Sequence, residues 1–387
     1  MSDIGFSSAR IRRGDMSPVE KIWQMSWSLL FIVACIFAFG FAMLYSAAGG
    51  SLEPWAGPQL ARFIFGIGVV TIVAVTDVRL IMRFSYLFYF VVLLMLIAVD
   101  VLGFVGKGAQ RWIDLGFISL QPSELMKPAI ILALARYFQG VTQDEIGNPL
   151  ILLVPLGLIL APVALVILQP DLGTAMLIMM SAGIMLFMAG VRMWKFGVVA
   201  ACGLAALPIA WSFLHDYQRN RVLTFLNPES DPLGTGYHIL QSKIAFGSGG
   251  LFGKGFMGGT QAHLNFLPER QTDFIATMLA EELGMIGLLA LLICFIIFIG
   301  YGYAIAIRCR HQFGRLVAVG LTASFFLYVF INIGMVMGLL PVVGVPLPFV
   351  SYGGTSLLTL MFSVGVLMNI YVHRDTQMGA RGGFNDF

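Results

Sequence analysis

The sequence predicts an all-α, polytopic integral membrane protein of about ten transmembrane helices, with a large extracytoplasmic loop before the eighth. Three observations predict it. The 387 residues are 58% hydrophobic and 11% charged, against about 45–50% and about 25% in soluble domains. Long uncharged runs recur along the chain, and the basic residues gather in alternate connections between them. This composition excludes disorder, a coiled coil and a disulfide scaffold. Cys35, Cys202, Cys294 and Cys309 lie in or at the ends of apolar runs without CxxC spacing and read as small core residues.

Residues 1–22 form a basic tail with Arg10, Arg12, Arg13 and Lys21. The run 22–52 is the first span; it is too long for a signal peptide and has no small-residue cleavage pattern, so it is expected to be retained. Further spans are predicted at 84–99, 146–170, 172–191, 196–214 and 283–307, using a length criterion of roughly 20 apolar residues. The stretch 316–372 holds no Asp, Glu, Lys or Arg over 57 residues and reads as two crossings. Its break is Gly338-Leu-Leu-Pro-Val-Val-Gly-Val-Pro-Leu-Pro348, whose prolines end helices and whose length suits a short re-entrant loop. Two weaker spans complete the ten: 63–76 is short, and 123–138 contains Glu124, Lys127 and Arg136.

An even number of crossings puts both termini on one side. The tails and short loops on that side hold 14 Lys and Arg, whereas the opposite short loops hold three, Arg62, Lys107 and Arg111. The positive-inside rule therefore predicts cytoplasmic tails at 1–22 and 374–387. It leaves 215–273 outside, a 59-residue loop with nine glycines between Gly234 and Gly259. So long a connection is functional or disordered as a rule, and its seven Phe and Tyr residues argue for a folded one. With no repeat or low-complexity tract, residues 1–387 read as one membrane domain.

Ionisable groups near hydrocarbon are costly unless they pair or face water, so each is a candidate. Glu124 and Lys127, at i and i+3 after a predicted Ser123 cap, share one helix face. They read either as a salt bridge between helices or as the wall of a cavity reached by a sugar or phosphate. Asp171 in Gln169-Pro-Asp-Leu-Gly173 reads first as a helix cap. The richest stretch is Leu267-Pro-Glu-Arg-Gln-Thr-Asp-Phe-Ile275, followed by Ala280-Glu-Glu-Leu-Gly284. Asp273 is expected at the cap or first turn of a helix, where free N–H groups favour its ionised form. Such a carboxylate can accept a proton from a sugar hydroxyl or hold a divalent cation. Of Glu281 and Glu282, at least one must face the bundle interior.

Other signals are discounted. Gly253-Lys-Gly-Phe-Met-Gly258 fits GxGxxG but follows no strand, no Walker A sequence occurs, and His215, His238, His263, His311 and His373 lack zinc-site spacing. No nucleotide or organic cofactor and no nucleic-acid partner is expected. The residues alone leave two classes open: an enzyme acting on a lipid-linked substrate, or a transporter.

The motifs Lys107-Gly-Ala-Gln-Arg-Trp112, Gln121-Pro-Ser-Glu-Leu-Met-Lys127, Gln169-Pro-Asp-Leu-Gly-Thr174, Asn227-Pro-Glu-Ser-Asp-Pro232, Gly236-Tyr-His-Ile-Leu-Gln-Ser242, the 267–284 stretch and Pro346-Leu-Pro-Phe-Val-Ser-Tyr-Gly-Gly354 occur in one order. Together they resemble the shape, elongation, division and sporulation (SEDS) family of bacterial peptidoglycan polymerases, more its elongation member than the division relative. The resemblance implies a ten-helix enzyme of the cytoplasmic (inner) membrane with its site facing the periplasm. Its activity would be polymerisation of lipid II into β-1,4 glycan strands during elongation and rod-shape maintenance, with inversion and release of undecaprenyl diphosphate. It implies Asp273 as general base or as ligand to a divalent cation, Mg or Mn. Arg111, Glu124 and Lys127 would shape the cavity and counter diphosphate charge, with Lys243, Lys254 and Arg270 as helpers. It also implies a class B penicillin-binding protein of the PBP2 type, other elongation-complex proteins and membrane lipids as partners; no SxxK with a KTG partner is present for cross-linking here. A lipid II flippase is the rival, and the position of Arg111, Glu124, Lys127, Asp171 and Asp273 near the outer span ends favours the enzyme.

Overall fold

The computed structural model describes residues 17–102, 104–106, 109–114, 116, 119–142, 144–213, 219, 223–224, 235–260, 270–376 and 378. Arg10, Arg12, Arg13, Lys107, most of the 374–387 tail and much of the 215–273 loop, including Asn227-Pro-Glu-Ser-Asp-Pro232 and Leu267-Pro-Glu269, lie outside the described residues.

A short helix α1 (Pro18–Trp23) precedes α2 (Trp27–Ala47), α3 (Ala56–Val75) and α4 (Val78–Leu102). A small antiparallel sheet follows, β1 (Phe104–Gly106), β2 (Ala109–Asp114) and β3 (Ser119–Leu120), in the order β1-β2-β3. Then come α5 (Pro122–Gln139), α6 (Pro149–Leu168), α7 (Leu172–Ala189), α8 (Met193–Phe213), α9 (Thr235–Ser248), α10 (Ile275–Arg308), α11 (Gln312–Val336) and α12 (Gly354–Val372). Eight of the described helices are long and apolar enough to cross a membrane: α2, α3, α4, α6, α7, α10, α11 and α12. Helix α5 carries Glu124, Lys127 and Arg136, and α8 is apolar over Met193–Ala206.

Bounding runs by charged residues clips several helices, among them α4, which starts at Val78 rather than 84 because Arg79 and Arg83 lie inside it. Helix α3 starts at Ala56 rather than 63 because Arg62 lies inside it, and α10 starts at Ile275 rather than 283 because Glu281 and Glu282 lie inside it, fully buried. The cap of α5 is Gln121, with Pro122 at the first position, so Ser123 sits inside the first turn instead of capping it. Helix α9 lies within the predicted outer loop, and the sheet occupies the stretch between α4 and α5.

Helices α11 and α12 form the centre: 83% and 78% of their most apolar stretches are buried, against 28–50% in the other spans. Helix α12 packs along α3, α4 along α5, and α10 along α11. The outward faces stay apolar, as with Leu153, Leu160, Ile286, Ile293 and Ile296, which suits contact with acyl chains rather than water.

Helix α10 is broken at Gly284, where φ is 68° and ψ −165°. A break in a span frees backbone groups that lipid cannot satisfy. The segment 249–258 satisfies them: Met285 and Ile286 N–H donate to the Gly250 and Leu251 carbonyls at 3.0 and 3.2 Å, and Lys254 and Gly255 N–H donate to the Glu281 and Glu282 carbonyls at 3.0 and 3.1 Å. Gly253 has φ +78°, and a Cβ there would lie 2.1 Å from the Glu282 carbonyl oxygen. Gly253→Ala is therefore expected to destabilise the protein by about 1–3 kcal/mol, read as a lower melting temperature in detergent. Gly247→Ala, in α9 with open space at its Cβ, should leave it unchanged or higher.

Candidate active site

The segment between α11 and α12 organises the site. Gly173, at the start of α7, packs so closely on it that a Cβ would lie 2.4 Å from the Val343 carbonyl oxygen. On the same segment, a Cβ on Gly344 would stand 3.7 Å from Asp273 Oδ2, so the Asp273 carboxylate lies against this loop. Asp273 is half-buried and sits one residue before the α10 cap, Phe274, not in the first turn. Three consecutive carbonyls hold its backbone. Tyr352 N–H donates to Gln271 O at 2.8 Å, Ser351 Oγ to Thr272 O at 2.7 Å, and Asn332 Nδ2 to Asp273 O at 3.0 Å. Asn332 Nδ2 also donates to Val345 O at 2.7 Å, and Ser351 Oγ accepts from Leu347 N at 2.8 Å, so the loop and the Asp273 turn are one hydrogen-bonded unit.

Arg111 projects from β2 to the α6–α7 turn. Its Nε donates to Gln169 O at 3.0 Å, Nη2 to Pro170 O, and Nη1 stands 3.9 Å from Asp171 Oδ2. Asp171 caps α7 as read from the sequence, accepting from Thr174 N at 3.2 Å and Thr174 Oγ1 at 3.0 Å. Gln121 Nε2 reaches the same carboxylate at 3.4 Å. Gln121 N also donates to Thr355 Oγ1 at 3.3 Å, and that hydroxyl donates to Ser119 O at 2.7 Å, so the sheet, α5 and α12 meet here.

Glu124 and Lys127 pair at 2.6 Å, as their spacing predicts, and are 4% and 3% exposed. Tyr328 of α11 completes the group: its hydroxyl donates to Glu124 Oε2 at 2.9 Å and accepts from Lys127 Nζ, which also lies 4.4 Å from the ring centroid. The adjoining cavity, lined by Ser324, Thr359 and Ser363 among others, measures ≈ 10 Å³. That is room for about one water, not a sugar.

Glu281 and Glu282 both face inward. Glu281 Oε1 receives Lys254 Nζ at 2.6 Å and Thr260 N at 2.9 Å; Glu282 receives Ser46 Oγ at 2.6 Å and Met257 N at 3.0 Å. Lys254 thus holds the loop to α10, while Lys243 lies on an exposed position of α9. Arg270 stacks its guanidinium 5.9 Å from the Trp55 ring centroid, and partial burial lowers its pKa from the usual arginine value. Reading charges alone missed Asn332, Ser351 and Tyr328; an asparagine within the uncharged 316–372 run was the available signal for the first.

Among the described residues no three His, Cys, Asp or Glu side chains converge as a metal cage. Asp273 offers one carboxylate. Mg²⁺ is commonly held by one or two carboxylates with waters and substrate phosphates, an arrangement that the Asp273 carboxylate fits.

A multi-pass helical bundle with a hydrogen-bonded carboxylate turn at the start of α10 defines a polytopic membrane protein with a candidate polar site among the described residues. The chain belongs to the FtsW, RodA and SpoVE family of cell cycle proteins, the SEDS family, whose model matches residues 26–376. It is 46% identical over 352 residues to the peptidoglycan glycosyltransferase MrdB of Escherichia coli strain K12, covering 90% of this chain and 93% of that one. It is 36% identical to the probable peptidoglycan glycosyltransferase FtsW of Geobacter sulfurreducens, covering 91% and 96%. The crystal structure of the Thermus thermophilus rod shape determining protein RodA superposes with a TM-score of 0.69 at 29% identity, over 90% of this chain and 97% of that one. A chain from a peptidoglycan synthase complex that coordinates polymerization and crosslinking gives 0.79 at 33%, over 91% and 99%.

Proposed function

We infer that this protein is a peptidoglycan glycosyltransferase that polymerises lipid II into β-1,4 glycan strands during elongation. The observation that carries this reading is the Asp273 turn, clamped through three carbonyls to the loop between α11 and α12. The 4-hydroxyl of an acceptor GlcNAc attacks the anomeric carbon of a lipid-linked MurNAc. Asp273 takes the hydroxyl proton, the new C–O bond forms with inversion from α to β, and the bond to undecaprenyl diphosphate breaks. A fixed backbone keeps the carboxylate within reach without reorganisation, and Arg111 offsets the charge growing on the leaving diphosphate. In the alternative role, Asp273 would hold a divalent cation, Mg or Mn, which would supply further charge neutralisation. Glu124 and Lys127 hold α5 against α11, and Lys254 holds the loop to α10.

The distribution of basic residues supports both termini in the cytoplasm and the site at the periplasmic face of the inner membrane. A class B penicillin-binding protein of the PBP2 type is the expected partner, in keeping with the synthase complex to which one structural neighbour belongs. The test uses the full chain purified with that transpeptidase and supplied with lipid II. Polymer is expected, and chelation of divalent metal with EDTA is expected to slow it by about tenfold or more, with recovery on adding Mg²⁺ or Mn²⁺. Transbilayer movement of lipid II without polymer would identify the flippase instead.

A further inference from the structure

Trp55, Gln59 and Arg62 recur at i, i+4 and i+7 along one face at the start of α3. Each meets a different part of the Asp273 neighbourhood. The Arg270 guanidinium lies 5.9 Å from the Trp55 ring centroid. Gln59 Nε2 donates to Ser351 O at 3.0 Å, and its Oε1 accepts from Gly353 N at 3.4 Å. Arg62 lies 5.1 Å from the Tyr352 ring centroid, and Tyr352 N–H is itself bound to Gln271 O. Two arginines from different elements are thus fixed by aromatic stacking and by one backbone segment, 351–353, on the same flank of the site.

Arg62 Nη1 is buried and makes no hydrogen bond. A guanidinium carries five donors, and a buried one left unmet is costly unless a ligand completes it. The guanidinium also borders Gly354, where a Cβ would lie 3.7 Å from Arg62 Cζ. Gly354 is the first residue of α12, and its cap, Gly353, provides no side-chain hydrogen bond, which adds the partial positive charge of a helix start. On α3, Phe65 lies one turn beyond Arg62 at i+3, and its exposed apolar side chain suits a lipid tail.

We propose that Arg62 and Arg270 form an anion subsite for the diphosphate of a polyprenyl-linked sugar, with its tail leaving along the exposed face of α3. This rests on the glycosyltransferase reading, in which two lipid-linked diphosphates, donor and acceptor, occupy the site together. Arg111, on β2, serves one of them, and Arg62 with Arg270 serves the other. Arginine suits the task because its planar fork binds phosphate oxygens in pairs while its face remains stacked.

The experiment measures binding of undecaprenyl diphosphate to the purified full chain in nanodiscs, with undecaprenol and phosphatidylglycerol as separate arms. Arg62→Ala is expected to weaken undecaprenyl diphosphate binding about tenfold and the double change with Arg270→Ala further, with Arg62→Lys intermediate. Undecaprenol binding should be unmoved, and added phosphatidylglycerol should not compete. Unchanged diphosphate binding in the double variant overturns the proposal, as does equal competition by phosphatidylglycerol, which would make this a general headgroup contact. Should Arg62→Ala fail to fold, Arg62→Gln and competition by inorganic diphosphate on the unaltered chain decide the same point. Diphosphate binding lost on substitution in a chain that never forms polymer would sink the glycosyltransferase reading and leave the subsite standing.

Discussion

Asp273→Asn is expected to abolish measurable glycan polymer from lipid II while expression, folding and association with the transpeptidase persist. The asparagine side chain matches aspartate in shape, and the contacts that hold this turn reach the main chain: Tyr352 N, Ser351 Oγ and Asn332 Nδ2 all donate to carbonyl oxygens. Removing the charge therefore leaves the clamp in place. What is lost is the group that accepts the acceptor's proton, a contribution of about 10²–10⁴-fold to rate in general base catalysis. Gel-resolved polymer from labelled lipid II, together with a melting curve of the same preparation, checks both halves. A variant with an unchanged melting temperature and normal polymer would remove Asp273 from the chemistry.

The sequence is most legible where the physics is local. The cap at Asp171 and the Glu124–Lys127 pair follow from spacings of three residues on one helix, and both form. Helix ends are less legible because charge was used as a boundary, and Arg62, Glu281 and Glu282 are charges inside helices, the two glutamates met by hydrogen bonds from the fold and Arg62 stacked on Tyr352. Contacts between distant segments leave no local trace. Gly284 can break α10 only because Gly250 and Leu251, more than thirty residues earlier, offer carbonyls to the freed N–H groups. Likewise the Asp273 clamp draws on Asn332 and Ser351, neutral residues in an uncharged stretch that reads as two crossings with a short loop between them. The order of motifs along the chain carries the family; their convergence is visible only in three dimensions.

Lys127→Met is expected to have the largest effect on stability. It leaves Glu124 buried with one remaining donor in its group, the Tyr328 hydroxyl, and breaking a buried ion pair on one side costs about 3–5 kcal/mol. A cavity of ≈ 10 Å³ cannot admit enough water to solvate the orphaned carboxylate. Adding Glu124→Gln to Lys127→Met removes the second charge, keeps a group that can accept from Tyr328, and should restore most of the loss. The comparison, made as melting temperatures in detergent, separates the two roles left open by the sequence. If the pair fastens α5 to α11, the single variant melts lower and the double recovers, with polymerisation following stability in each. If the pair instead touches the substrate, the double variant would regain its melting temperature yet remain inactive. The enclosure of both side chains by Tyr328, Phe325 and Leu360 favours the first outcome, because a group that meets a diphosphate must also meet the water that precedes it.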